Sequence, residues 1–173
     1  MKILVTGATG AQGGAVVKIL LKHSHHVVAM TRNLESEAAK ELISLGATVV
    51  EGDMGNVKSI EAALQGVDGV FSMQALSAMD STLERTHGFN LIQAAKKLNI
   101  VHFVHTSVSG TGFHKTMPGW EEGRWIRIIA IINGTLRNGC EQLIFPYALF
   151  LKPAFLWKNF ILPKAPVLVS KIY

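Results

Sequence analysis

The stretch Met1-Lys2-Ile3-Leu4-Val5-Thr6-Gly7-Ala8-Thr9-Gly10-Ala11-Gln12-Gly13-Gly14 runs from a short apolar segment directly into a glycine-spaced turn. Lys2 to Thr6 has the Ile, Leu and Val content of a buried strand, and Ala15, Val16, Val17, Ile19, Leu20 and Leu21 carry an apolar helical face. The turn therefore joins strand to helix. Glycine serves three needs at such a junction: a tight turn, close approach of backbone to phosphate, and close packing of helix on strand. Gly7, Gly10 and Gly13 are spaced to meet them. The helix N-terminus adds free N–H groups and partial positive charge, so the turn is the expected seat of a dinucleotide's pyrophosphate. The spacing is G-x-x-G-x-x-G, not the G-x-G-x-x-G of ordinary dehydrogenases. A glycine-rich loop without a ligand is the competing reading. Position weighs against it, because the turn follows a buried strand and precedes an amphipathic helix.

Downstream, strand and helix alternate. His26 to Thr31 reads as a second strand, followed by a helix from about Glu35 to Leu45 that Gly46 caps. Ala47 to Glu51 is a third strand, Val57 to Leu64 a third helix, Gly69 to Met73 a fourth strand, Thr82 to Leu98 a longer helix, and Val101 to Thr106 a fifth strand. The connections have the short lengths of βαβ units. The expected fold is α/β, a doubly wound, mostly parallel Rossmann-like sheet with helices on both faces. Residues 1–152 would form the dinucleotide-binding domain, with 153–173 a remnant of a substrate region.

At 173 residues and 49% hydrophobic content the chain has the size and apolar mass of one domain with a single core. No leader pattern precedes Gly7, and the single Cys140 has no internal disulfide partner, so a reducing, cytoplasmic setting is expected. The net charge of +5 favours anionic ligands without requiring nucleic acid, and no Lys/Arg run exceeds two residues. His23, His25 and His26 lack the Cys and carboxylate companions of a metal site and read as a solvated helix end. The apolar run from Leu143 to Leu162 is broken by Pro146, Lys152, Pro153 and Lys158, which argues against a membrane span. A sixth strand ending near Leu151 fits better. Trp157, Phe160, Ile161 and Leu162 would then be partly exposed, as a homodimer contact or a docking patch for a protein partner.

Ligands of such sheets bind outside the carboxyl ends of the strands. The second strand closes on Thr31-Arg32-Asn33, where an NAD site would place an acid on the ribose 2′-hydroxyl. Arginine there offers a charged fork suited to a 2′-phosphate, so NADP(H) is expected over NAD(H); a solvated strand-end arginine is the alternative. Asp53 and Met54 end the third strand, and Met73 and Gln74 the fourth. Both pairs are placed to border adenine, ribose or phosphates.

The motifs Val5-Thr6-Gly7-Ala8-Thr9-Gly10-Ala11-Gln12-Gly13-Gly14, Thr31-Arg32-Asn33, Glu51-Gly52-Asp53-Met54 and His102-Phe103-Val104-His105-Thr106-Ser107-Val108-Ser109 together resemble the NmrA-like family of atypical short-chain dehydrogenase/reductases. The match is dense to about residue 125 and resumes over Leu151-Lys152-Pro153-Ala154-Phe155-Leu156-Trp157-Lys158-Asn159-Phe160. The resemblance implies a Rossmann fold. It also implies NADP(H) bound through Gly7, Thr9, Gly10, Ala11, Gln12, Gly13, Arg32, Asn33, Asp53, Met54, Met73 and Gln74, and through Phe155 and Asn159 in the segment entering the substrate region. The family mixes redox sensors with reductases of quinones and related small molecules.

The chain departs from that pattern in ways that bear on chemistry. A Tyr-x-x-x-Lys pair, which passes a proton and lowers the tyrosine's pKa from one helical turn away, is missing; Tyr147 and Tyr173 are the tyrosines present. The family's helix lysine aligns near Ile129, and Phe89 stands where relatives often carry a cofactor-reaching lysine. Residues 126–150 are unlike the family, as a splice variant or frameshift would make them. Relatives continue for about another hundred residues, so a shortened substrate region is expected. Ser107, Ser109, His114 and Lys115 are candidates for polarising a carbonyl, or simply polar loop residues. The leading expectation is an NADP(H)-binding regulatory or redox-sensing module with little catalysis. Its rivals are an NADPH-dependent oxidoreductase of a quinone or similar molecule and an inactive truncated relative.

Overall fold

The computed structural model describes residues 1–74, 82–107, 114–116, 118 and 121–122, together with the backbone of 147–151. Six strands, β1 (Lys2–Val5), β2 (His26–Thr31), β3 (Thr48–Glu51), β4 (Gly69–Ser72), β5 (His102–Thr106) and β6 (Tyr147–Leu151), form one sheet in the order β3-β2-β1-β4-β5-β6. Every pairing is parallel, as the βαβ rhythm predicts. The order reverses beside β1: β2 pairs on one side and β4 on the other. That reversal opens a crevice at the carboxyl edge.

Among the described residues four helices make the crossovers between β1 and β5: α1 (Ala11–Lys22), α2 (Glu37–Ser44), α3 (Val57–Ala63) and α4 (Leu83–Lys97). Apolar residues alternate between two cores because successive strand side chains point to opposite faces. Val27 and Ala29 join Val5, Val17, Leu42 and Phe71 on the α1 and α2 side. Val28 and Met30 join Leu4, Ile60, Val70, Leu91, Ile92 and Phe103 on the α3 and α4 side. Burial on both faces explains why β2 reads as a continuous apolar run.

The expected elements are present, with ends moved by a residue or two. Thr6 and Met73 fall just beyond β1 and β4, and α2 starts at Glu37 because Ser36 caps it, accepting from the Ala39 amide at 3.2 Å. Gly46 lies one position past the C-cap Leu45. Its φ of +96° lets the Gly46 and Ala47 amides reach back to Ile43 and Leu42, which is a Schellman stop. Among the described residues no helix is long and apolar enough to cross a membrane.

Candidate functional site

The turn from β1 into α1 has three glycines with different geometry. Gly7 has φ of +61°, which disfavours any side chain, and its carbonyl accepts from the Gly10 amide at 3.0 Å. At Gly10 a Cβ would stand 3.3 Å from that same carbonyl oxygen. At Gly13 it would collide with the Gly7 carbonyl oxygen and lie 2.9 Å from the Ala8 Cα. The helix therefore sits on the turn at a distance that admits only hydrogen at residue 13.

Gly10 is the N-cap of α1, and no side chain caps it. The other crossovers provide a contrast: Ser36 caps α2, and Asn56 caps α3 by accepting from the Lys58 and Ser59 amides. The first amides of α1 keep their capacity to bind an anion. Gln12, in that first turn, sends its side chain sideways, and Nε2 donates to Thr106 Oγ1 at the end of β5 across 2.9 Å.

A cavity of about 610 Å³ opens over this turn at the carboxyl edge of the sheet. Gly7, Thr9 and Gly10 form its floor, with Met73 and Gln74 beyond β4. Arg32, Asn33, Asp53 and Met54 line the β2 and β3 side. Ala11, Gln12 and Gly13 form the first turn of α1 and do not line the cavity, and Phe155 and Asn159 lie outside the described residues. Met30, Thr31, Ser36, Gly52, Leu83 and His87 also line the cavity. Of these, Thr31 and Gly52 stand in the motifs quoted above without an assigned role, and Met30, Ser36, Leu83 and His87 were not singled out from the sequence. A Cβ at Gly52 would come within 2.6 Å of Met30 Sδ.

The β2–β3 register pairs Thr31 with Glu51, so the residues after them, Arg32 and Gly52, emerge side by side. A smaller recess of about 360 Å³ continues past Arg32 between Glu51, Asp53, Asn56 and Ser59. Asp53 is held in place, because its Oδ1 accepts the Gly55 amide at 2.7 Å and its own amide donates to Ser59 Oγ at 3.0 Å. The ion pairs among the described residues, Lys18–Glu41, Lys40–Glu37 and Lys97–Glu61, leave Arg32 out. Its exposed guanidinium is thus available to a ligand.

Beneath Gln74 the wall is polar and buried. Gln74 Nε2 donates to Ser72 Oγ at 2.9 Å, and Ser72 Oγ lies 3.1 Å from His105 Nδ1. Burial pushes the His105 imidazole down to about 4, against a smaller opposing pull from the backbone at Ser72.

The NmrA-like family model matches residues 1–121, which takes in the turn and every described residue lining the cavity. The chain belongs to the NmrA-like family. An NmrA-like family domain-containing protein of Dictyostelium discoideum is 40% identical over 111 residues, which are 63% of this chain and 36% of that relative. Among solved structures, the Citrobacter sp. triphenylmethane reductase complexed with NADP(H) aligns with a TM-score of 0.76 at 26% identity, over 93% of this chain and 52% of the reductase. NmrA itself, a negative transcriptional regulator, aligns with a TM-score of 0.71 at 25% identity, over 86% of this chain and 44% of NmrA. The chain spans about a third to a half of the length of these relatives.

The structure places several of the other residues singled out from the sequence. Phe89 on α4 packs against the core of the α3 and α4 face. Ser107 is buried just past β5, and His114 and Lys115 form a single turn of 3-10 helix. Tyr147 opens β6. Ile129 and Ser109 lie outside the described residues. His23 caps the C-terminus of α1 and His26 begins β2; among the described residues no three His, Cys, Asp or Glu side chains gather as around a metal ion.

Proposed function

We propose that this chain binds NADP(H) along the carboxyl edge of its sheet, in preference to NAD(H), and that binding, not turnover, is its output. One observation carries the reading: the N-terminus of α1, which no side chain caps, and Arg32, which has no ion pair among the described residues, border the same cavity. The first suits a pyrophosphate, and the second a 2′-phosphate on the ribose nearby. Gly7, Gly10 and Gly13 would admit the diphosphate, Arg32 and Asn33 would hold the 2′-phosphate, and Asp53 and Met54 would border the adenosine. Met73 and Gln74 would continue the wall, with Phe155 and Asn159 following from the next segment. Residues 1–152 would constitute this binding unit. Such a unit, in a cytoplasmic protein, would report cofactor occupancy to a protein partner or a second copy. The fold likeness to NmrA supports that output, as does the lack of tyrosine or lysine among the described residues lining the cavity.

The likeness to a triphenylmethane reductase complexed with NADP(H) favours a second reading. A bound reduced nicotinamide would supply hydride to a quinone-like acceptor, and the chain would contribute positioning alone. Titration with NADPH and NADH, followed by a quinone panel, separates the two. NADPH binding without oxidation supports the regulatory module, and steady turnover replaces it with the reductase. Failure to bind either nucleotide overturns both and leaves an inactive relative.

A further inference from the structure

Ser72 and His105 face each other across β4 and β5, paired by the register and buried on the α3 and α4 side. Gln74 connects them to the cleft. Its Nε2 is committed to Ser72 Oγ, while its Oε1 is shielded from water and meets no donor among the described residues. A buried hydroxyl has one proton to place. With the Gln74 amide already donating to Ser72 Oγ, the acceptor beside that hydroxyl is His105 Nδ1. The roles of Ser72 Oγ and His105 Nδ1 follow the imidazole tautomer; with Nδ1 as acceptor, Gln74 donates to Ser72, Ser72 donates to His105, and the imidazole carries its proton on Nε2. Reversing it would require the imidazole to turn over its tautomer and the amide to rotate by half a turn.

We infer that His105, acting through Ser72, is a positioning residue that holds the Gln74 amide with Oε1 as the atom available to a donor on the bound dinucleotide. The inference rests on the NADP(H) reading above. An acceptor shielded from water and lacking a donor among the described residues is a cost that a ligand hydroxyl or amide N–H relieves on binding. The donor is either a ribose hydroxyl or the carboxamide of the nicotinamide. A glutamine that hung freely in the cleft would accept or donate equally. One pinned from below discriminates.

Binding of NADPH, followed by its fluorescence, tests this on the full chain. His105→Leu and Gln74→Met should each weaken NADPH by about three- to tenfold, and together by little more than either alone. His105→Asn, whose Oδ1 stands in for Nδ1, should recover most of the loss, which a merely space-filling role would not. Separate titrations of Gln74→Met with 2′,5′-ADP and with reduced nicotinamide mononucleotide assign the donor to whichever half loses affinity; a loss in neither overturns the inference. Nitrogen NMR of labelled histidine in the wild-type chain gives a readout independent of any variant's folding. The Nε2-protonated tautomer at His105 is expected, and the Nδ1-protonated one overturns the proposed direction. If the wild type binds no NADPH, the cofactor reading fails and takes the ligand contact with it. If the wild type binds and His105→Leu binds equally well, the positioning role alone is overturned.

Discussion

Thr6 and Met73 lock the ends of β1 and β4 together with one hydroxyl: Thr6 Oγ1 accepts from the Met73 amide at 2.8 Å and donates to the Met73 carbonyl at 2.9 Å. Both residues lie just past their strands, at the point where the sheet parts to form the crevice. The hydroxyl continues the ladder by one step after the backbone has turned away to begin the glycine turn. Thr6→Val keeps the shape and removes both bonds. It leaves a partly buried amide and carbonyl without that partner, and should cost about 1–2 kcal/mol in urea unfolding. A cost near zero would show that water replaces the hydroxyl.

Gly13 and Gly46 separate two reasons for having no side chain. At Gly13 the obstacle is the Gly7 carbonyl group, so Gly13→Ala must push α1 off the turn. NADPH affinity should fall more than about tenfold, with a stability loss of about 1–3 kcal/mol. At Gly46 there is open space and only a positive φ. Gly46→Ala should cost about 1–2 kcal/mol in backbone strain and leave NADPH binding unchanged. Thermal unfolding and nucleotide titration of both variants test the contrast.

Arg32→Glu should lower NADPH affinity by about ten- to a hundredfold and change NADH binding little, since a charge-assisted bidentate bond is lost from one ligand only. Arg32→Lys should fall between, because an ammonium keeps the charge without the fork. Parallel losses for both nucleotides would remove the 2′-phosphate from this place in the cleft.

The His105 imidazole makes stability depend on pH in a definite direction. Its folded value near 4 lies below the ordinary 6.5, so the unfolded chain takes up the proton more readily. The contribution is complete above pH 6.5 and is lost progressively as pH falls toward 4, reaching about 3 kcal/mol. The difference in unfolding free energy between wild type and His105→Asn should narrow across that window. A constant difference would mean that His105 titrates alike in both states.

Asn56→Ala removes the cap from α3, where the side chain accepts from Lys58 and Ser59 at 3.0 and 3.4 Å. A loss of about 1 kcal/mol is expected by denaturant titration. Nucleotide affinity should stay as it is, since Asn56 lines the outer recess and not the cleft.

The strand–turn–helix junction at the glycines, the parallel sheet and the place of Arg32 at the end of β2 were legible because each follows from local chemistry: a strand ending in glycine, crossovers of βαβ length, a basic residue at a strand end. His87 and Leu83 were not. They reach the cavity through the packing of α4 on α3, which no local pattern encodes. His105 carried a signal that went unused, since alternation along β5 places it on the same buried face as Phe103. Its partner Ser72 lies on a different strand, and only the register pairs them. Asp53 and Gln74 were expected as ligand contacts from position alone. Their own hydrogen bonds, which decide how they face the cleft, depend on Gly55, Ser59 and Ser72.

The central place of β1 has a consequence in time. β1 pairs with β2 soon after both are made, yet its other edge waits for β4, with Leu4 opposite Val70. While the chain leaves the ribosome, a three-stranded half-sheet exists before its partner does, and β1 is its bare edge. That edge is short and apolar, the kind that recruits a neighbouring chain. The strand that leads into the glycine turn is thus sheltered on its second edge only when β4 arrives. Any aggregation through that edge is confined to the interval before β4 pairs with it.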